Sequence, residues 1–292
     1  GINFRARKKY SLAQKYFKQE LQEATATGKA ELYYRAYENI GISYNHQANG
    51  EKALPFFKKA LIIAEQLKNK TFLANCYLNI GKIYFNEGDY ESAMRQFELS
   101  YRISFKMNNH KNCCVALGNI AKIWLSKSNT YKSKYFLGKQ LKLYQDNKDF
   151  LGVSEVLNSF GLTELLENKF EKSINYFNKS LKIISAIKNH SLKSLVLSNL
   201  AISYSYLRIF GKAENYFKQQ VVLDRRYNNN DGIVRAYTNI GNINFEKKKY
   251  KIALFYYKKS YRIIQRLNLN KYKKPLNENI INCILKLKNV KI

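Results

Sequence analysis

A short signature recurs every forty residues: asparagine, then a large apolar residue, then glycine or alanine. Its copies begin at Asn39, Asn79, Asn119, Asn199 and Asn239, with Ser159-Phe160-Gly161 in the fourth position and a partial seventh copy at Asn279-Ile280-Ile281. No insertion or deletion shifts the phase. Six steps of one fixed length predict a tandem array, in which neighbouring repeats build the functional surface together and no single cleft carries it.

Two helical patterns fill each repeat. In the first, apolar residues recur three and four positions apart, as at Tyr77, Ile80, Gly81 and Tyr84. Glycine weakens a helix by roughly 1 kcal/mol relative to alanine. Its recurrence at one phase therefore predicts that a neighbouring helix approaches closely there.

The second pattern places a small residue four positions before a large one, usually aromatic. The pairs are Ala13/Phe17, Ala53/Phe57, Ala93/Phe97, Ser133/Leu137, Ser173/Phe177, Ala213/Phe217 and Ala253/Tyr257. Each repeat then closes on an asparagine or aspartate, which we expect in the left-handed conformation that ends a helix. These residues are Asn69, Asn109, Asp149, Asn189 and Asn229.

Together these residues resemble the tetratricopeptide repeat over essentially all 292 residues. The residues that carry the resemblance are Tyr77, Ile80-Gly81, Tyr84, Ala93, Phe97 and Ser100. The forty-residue length is similar to the variety found in the Leu-Gly-Asn repeat protein, kinesin light chain and bacterial peptide-sensing regulators. The resemblance implies an all-α, right-handed superhelical solenoid of antiparallel helix pairs, with about fourteen helices and no strands.

The repeat phase divides the chain as one solenoid over 1–292. We expect repeats at 29–68, 69–108, 109–148, 149–188, 189–228 and 229–268, between a truncated repeat at 1–28 and a C-terminal capping helix at 269–292. Gly1 falls at the phase of Gly41, so we expect the chain to be a fragment of a longer protein. Gly118 and Gly138 interrupt helical patterns, which predicts a less well specified middle segment.

In the family that the chain resembles, the first helix of each repeat lines a concave groove. The recurring asparagine offers one acceptor and two donors, so it can pair with both groups of an extended peptide backbone. The alternative is that it ties one repeat to the next. The predicted peptide-binding residues are Arg35, Asn39, Asn75, Asn79, Lys82, Asn86, Asn119, Lys122, Asn199, Arg235, Asn239 and Asn242.

The same stripe becomes apolar further along the chain. A predicted apolar pocket for a partner's side chains comprises Leu162, Leu166, Leu195, Ile202 and Tyr206. The alternative is that these residues pack against a neighbouring helix.

No catalytic, metal or phosphate-binding motif is present, so we expect a non-enzyme without cofactors. His110 and His190 share one turn phase and are repeat features. Cys76, Cys113, Cys114 and Cys283 lack zinc spacing and are expected to be free thiols of a reducing cytoplasm. Neither a signal peptide nor a membrane span is predicted.

The net charge is +30, from 51 basic and 21 acidic residues, and lysine dominates the basic ones. Such a field favours acidic partners. We expect a protein or peptide partner, acidic or extended, bound by the sensor or adaptor part of a larger cytoplasmic protein. Alternatives are a basic solenoid that binds nucleic acid or another polyanion, weakly and without sequence specificity, and a homo-oligomeric structural module.

Overall fold

The computed structural model describes residues 16–17 and 19–289, and every regular element in this part of the chain is helical. The expected all-α fold is therefore confirmed. The described residues form two compact units, one that ends at Asp149 and one that begins at Phe150, which we call the N-terminal unit and the C-terminal unit. Of the predicted truncated repeat, residues 1–15 and 18 lie outside the described residues, and residues 19–27 are helical.

Within each unit, helices of 17 or 18 residues follow one another through short turns, and each packs against the next, which makes consecutive helices antiparallel. The N-terminal unit contains α1 (Ala30–His46), α2 (Gly50–Gln66), α3 (Lys70–Glu87), α4 (Tyr90–Lys106), α5 (His110–Ser126) and α6 (Thr130–Asp146). The C-terminal unit contains α7 (Phe150–Leu166), α8 (Phe170–Ile187), α9 (His190–Tyr206), α10 (Phe210–Arg226), α11 (Asn230–Glu246), α12 (Tyr250–Leu267), a 3₁₀ turn (Asn270–Tyr272) and α13 (Lys273–Asn289).

The turns repeat every twenty residues, at half the sequence period. Each contains one residue of positive φ, such as Lys68 at 51° and Asn108 at 52°. The prediction that the closing asparagines adopt this conformation is wrong by one position. Asn69 has φ −86°, and its side chain accepts a hydrogen bond from the N–H of Phe72. The same capping by Asn109, Asn189 and Asn229 satisfies helix N–H groups that have no partner within the helix.

Glycines of the signature face the large residue of the second helix. A Cβ placed on each would lie 2.4 to 2.7 Å from an aromatic ring, closer than packed atoms allow. The pairs are Gly41/Phe57, Gly81/Phe97, Gly161/Phe177 and Gly241/Tyr257. These rings are buried, so the close approach predicted from the glycine phase is confirmed.

Gly118 also has a packing reason. A Cβ there would lie 2.6 Å from Nε2 of Gln140, and this nitrogen donates a 3.0 Å hydrogen bond to the carbonyl of Cys114. The equivalent residue in an earlier repeat is Ser100, whose hydroxyl donates to the carbonyl of Ala74. The middle segment therefore has Gln140 where the earlier repeat has Ser100, and Gly118, which lacks a side chain, leaves room for the longer amide.

Candidate functional site

The predicted binding stripe lies on the first helix of each repeat: α1, α3 and α5 in one unit, and α7, α9 and α11 in the other. In the N-terminal unit, Arg35, Asn86 and Lys122 are exposed. The half-buried members are Asn39, Asn75, Asn79, Lys82 and Asn119. These residues differ sharply in whether their polar groups already have partners.

Asn79 is tied to the preceding repeat. Its Nδ2 donates to Oε1 of Glu38 at 3.4 Å, and its Oδ1 accepts from Nζ of Lys82 at 3.4 Å. Asn39 similarly donates to Oε2 of Glu20 at 3.3 Å. A peptide backbone would have to displace these contacts before it could use the two amides.

Burial shifts the pKa values of the two ionisable side chains beside Asn79, Glu38 and Lys82. Removal of Glu38 from water raises the pKa of its carboxyl, while Tyr34 and Lys82 act in the opposite direction. Removal of Lys82 from water, together with repulsion by Lys122, lowers the pKa of its ammonium, and Glu38 offsets part of this effect. Burial also raises the pKa of the Cys76 thiol to about 12, so that sulfur is protonated at neutral pH.

Asn75 is tied to its neighbouring repeat as well, because its Oδ1 accepts a 2.8 Å hydrogen bond from Nδ2 of Asn112. Asn119, in contrast, makes no side-chain hydrogen bond within the part of the chain that the structure describes. The residue 41 positions before Asn79 is Glu38, whereas the residue 41 positions before Asn119 is Leu78. The partner is therefore absent for a reason visible in the sequence.

The same distinction holds in the C-terminal unit. Asn199 is only 5% exposed, and its Nδ2 donates to Oδ1 of Asn158, 41 positions earlier, at 2.8 Å. Asn239 is half-buried, and among the described residues its amide has no hydrogen-bond partner. The residue 41 positions earlier is Ser198, which is too short to reach it. Among the asparagines of the repeated signature, the geometry thus separates paired residues from two whose amides are available, Asn119 and Asn239.

Three adjoining pockets form a continuous trough along α9, α11 and α13 of the C-terminal unit. The first, about 310 Å³, shares Ile202 and Asn239 with the second, about 400 Å³. The second shares Asn242 and Glu246 with the third, about 250 Å³. We call this continuous surface the trough. Asn199, Asn239, Arg235 and Asn242, all predicted from the repeat phase, contribute to its lining.

Asn242 already has partners in the trough. Its Oδ1 accepts from the hydroxyl of Tyr257 at 2.9 Å and from Nδ2 of Asn279 at 3.4 Å. Asn242 is exposed, and its two amide N–H groups have no acceptor among the described residues.

The predicted apolar pocket is only partly assembled. Leu195, Ile202 and Tyr206 line the trough, and the ring of Tyr206 stacks on Phe170 at a centroid distance of 5.1 Å. Leu162 is half-buried and packs against the cluster that contains Phe177. Leu166 is 63% exposed and lies outside the trough's lining.

Sequence reasoning missed part of the lining. Gln220 comes from the second helix of its repeat, where small residues such as Ser100 and Ser260 are the rule, and this deviation was a usable signal. Tyr272, Pro275 and Leu276 come from the 3₁₀ turn and the start of α13. That segment departs from the repeat pattern, so phase could not place it.

The described residues contain no cluster of histidine, cysteine or carboxylate side chains suited to a metal ion. Cys76, Cys113, Cys114 and Cys283 are free and buried, as expected. Among the described helices, none has the length and apolar character required to cross a membrane.

Comparison with known sequences agrees with the repeat architecture. Models of the tetratricopeptide repeat match residues 32–104 and 234–266. Among curated proteins, none shows significant similarity to the sequence.

Several solved structures have a similar fold. The apo quorum sensor NprR from B. thuringiensis is 16% identical, with a TM-score of 0.71 over 88% of this chain and 72% of that chain. A STAND protein with a tetratricopeptide repeat sensor from Pyrococcus horikoshii is 19% identical, with a TM-score of 0.69, over 96% of this chain and 47% of that chain. A Rap protein complexed with competence and sporulation factor is 12% identical, with a TM-score of 0.66, over 92% and 80%. At these identities the likeness establishes the fold.

Proposed function

We propose that this tetratricopeptide repeat chain is a non-catalytic scaffold that binds an extended peptide or partner segment along the trough of its C-terminal unit. The observation that carries the proposal is the available amide of Asn239 at the junction of two pockets. A free amide can donate to a peptide C=O and accept from a peptide N–H. The trough then supplies apolar contact on either side, through Leu195, Ile202 and Tyr206.

Similar structures support a role in recognition. One neighbour was solved in complex with competence and sporulation factor, another is a quorum sensor, and a third carries its repeats as a sensor. By analogy, we propose that this chain serves as the sensor or adaptor part of a larger cytoplasmic protein. The basic charge of the whole chain favours an acidic partner and speeds its encounter.

A different surface favours a second candidate, binding of a polyanion. On α6, the exposed rings of Tyr131 and Tyr135 alternate with lysines, and Nζ of Lys139 lies 4.5 Å from the ring centroid of Tyr135. Lysines and aromatic rings on one helix can contact phosphates and bases. Such binding would weaken steeply as salt rises, whereas groove binding, which relies mainly on amides and apolar contacts, would weaken much less.

The test of the first proposal is a peptide selected from a random library on the full chain. We expect Asn239→Ala to weaken its binding about fivefold to tenfold, because a hydrogen-bonding amide contributes roughly 1 kcal/mol. The matched control is Lys258→Ala on α12, exposed and outside the trough's lining, which should leave affinity within about twofold at physiological salt. Binding that ignores Asn239→Ala and disappears with salt would refute the groove and favour the polyanion surface.

A further inference from the structure

The first pocket of the trough combines apolar walls with a buried polar side chain at its inner side. Its apolar walls are Leu195 and Ile202 from α9, with Tyr272, Pro275 and Leu276 from the 3₁₀ turn and the start of α13. The volume of about 310 Å³ is sufficient for one large side chain. The polar groups therefore decide which large side chain this pocket accepts.

Gln220 lies at the inner side of this pocket and is only 1% exposed. Its Nε2 approaches the hydroxyl of Ser194 at 3.5 Å, the outer limit for a hydrogen bond. Its Oε1 has no hydrogen-bond partner among the described residues, although it is buried. Buried amide oxygens normally have a donor, so this unpaired acceptor marks a place where one is missing.

The equivalent glutamine of an earlier repeat, Gln140, makes the hydrogen bond that Gln220 lacks. Gln140 occupies the same phase two repeats earlier, and its amide donates a normal 3.0 Å bond to the carbonyl of Cys114. In that repeat Gly118 provides room for the amide, whereas the equivalent position here is Ser198, which lines the pocket. Gln220 is therefore displaced from the internal contact that Gln140 makes.

A cation stands at the mouth of the pocket. Arg235 is exposed, lines the pocket and has no ion-pair partner within the described residues. The acidic residue one turn before it, Asp231, is bound instead by Nζ of Lys271 at 3.0 Å. A guanidinium without a partner beside an apolar pocket attracts a carboxylate, which it can bind through two parallel hydrogen bonds.

We infer that this pocket receives a tyrosine or tryptophan side chain from a peptide that carries a carboxylate beside that residue. The inference rests on the proposed function, because it assumes that a peptide follows the trough. An aromatic ring fills the apolar walls, and its O–H or N–H donates to Oε1 of Gln220, whose terminal torsion is soft enough to turn toward it. The carboxylate, from an acidic side chain or from a chain end, pairs with Arg235.

The discriminating feature is the donor at the far end of the ring. Phenylalanine would bury the same apolar area and leave Oε1 unpaired. A site with a buried acceptor discriminates strongly against an analogue that lacks the matching donor. The pocket should therefore prefer tyrosine to phenylalanine, the reverse of the order expected from hydrophobicity alone.

The experiment measures fluorescence anisotropy with the full chain and labelled nine-residue peptides whose C-termini are amidated. Three peptides differ only in a central pair, Tyr-Asp, Phe-Asp or Tyr-Asn, and a fourth ends in tyrosine with a free carboxylate. We expect the Phe-Asp and Tyr-Asn peptides to bind about tenfold more weakly than Tyr-Asp. The fourth peptide shows whether a chain-end carboxylate serves as well as an aspartate.

Two variants assign the contacts. Gln220→Met should make Tyr-Asp and Phe-Asp equal within about twofold, and Arg235→Gln should do the same for Tyr-Asp and Tyr-Asn. Arg235 is exposed, so the second variant tests the pocket even if Gln220→Met unfolds. Equal binding of Tyr-Asp and Phe-Asp by the unaltered chain, or a preference that survives Gln220→Met, overturns the inference. If a library-selected peptide then still responds to Asn239→Ala, the proposed function stands without this pocket; if it does not, both fail.

Discussion

Gly161 provides a direct test of why glycine recurs in the signature. A Cβ at this position would lie 2.4 Å from Cε1 of Phe177. The ring is 0% exposed and belongs to a packed cluster with Val196 and Leu200, so it has no free space to move into. Gly161→Ala should therefore force α7 and α8 apart or drive the ring from its rotamer.

The magnitude follows from two opposing effects. Added volume in a packed core costs about 1–3 kcal/mol. Alanine in place of glycine inside a helix raises the unfolding free energy by about 1 kcal/mol. The net loss of unfolding free energy is therefore about 0–2 kcal/mol. In the next repeat, buried Ala201 and Phe217 occupy the same phases, which shows that a methyl is tolerated there and keeps the expected loss moderate.

Urea denaturation followed by circular dichroism measures this loss. The matched control is Gly138→Ala in α6, where a new Cβ would meet no atom within 4 Å. Without a packing cost, that change should stabilise the protein by about 1 kcal/mol through helix propensity alone. The two substitutions are chemically identical and should shift the midpoint in opposite directions.

A double change separates packing from propensity. With Phe177→Leu in place, the methyl at Gly161→Ala should no longer be destabilising, because the ring that it meets is gone. The natural pair Ala121 and Leu137, both buried, already has this combination. If Gly161→Ala stabilises the protein as much as Gly138→Ala does, the close-approach argument is refuted.

Two further predictions concern the polar contacts between repeats. Asn199→Ala should lower the unfolding free energy by about 1–3 kcal/mol, because it leaves the buried amide of Asn158 unpaired, whereas Asn239→Ala should change it by less than about 0.5 kcal/mol; equal losses in urea denaturation would contradict the distinction. Burial raises the pKa of the Glu38 carboxyl above its ordinary value of 4.5, so the folded state holds this proton more tightly than the unfolded state does. The stability that this provides is fully present below pH 4.5 and is lost as pH rises through the raised pKa. The stability of the unaltered chain relative to Glu38→Gln should fall over that range, and a difference that rises with pH would contradict the assigned cause.

Much of the fold could be predicted because a pattern that is ambiguous in one repeat becomes informative when it recurs at the same phase in several. A single glycine inside a helical pattern is uninformative, but Gly41, Gly81, Gly161 and Gly241 at one phase require a structural cause. The helix ends were less predictable. Asn69 is compatible both with a left-handed turn residue and with an N-cap, and only the backbone shows that Lys68 takes the first role. Residue type alone could not show which of these two adjacent residues has the left-handed conformation.

The candidate site was predicted less completely, for a different physical reason. Repeat phase assigns residues to a helix face, and the structure places Asn239, Ile202 and Tyr206 in the lining of the trough. It cannot show what a side chain touches across the next helix. Phase treated Asn199 and Asn239 as equivalent, although the first is buried against Asn158 and the second is available. Reading the residue 41 positions earlier would have separated them.

The availability of amides determines which of the recurring asparagines can bind a peptide backbone. A hydrogen bond to a peptide contributes only the difference between the new contact and the contact it replaces. For Asn79, the replaced contacts are those to Glu38 and Lys82, so a peptide gains little and leaves the half-buried carboxyl group of Glu38 poorly paired. For Asn239 the replaced contact is with water, so the full net free energy of the new hydrogen bond contributes to peptide binding. The number of asparagines in a tetratricopeptide array therefore overstates its capacity to bind a backbone. Where a long polar residue lies 41 positions earlier the amide holds the repeats together, and where a short or apolar residue lies there the amide is free for a ligand.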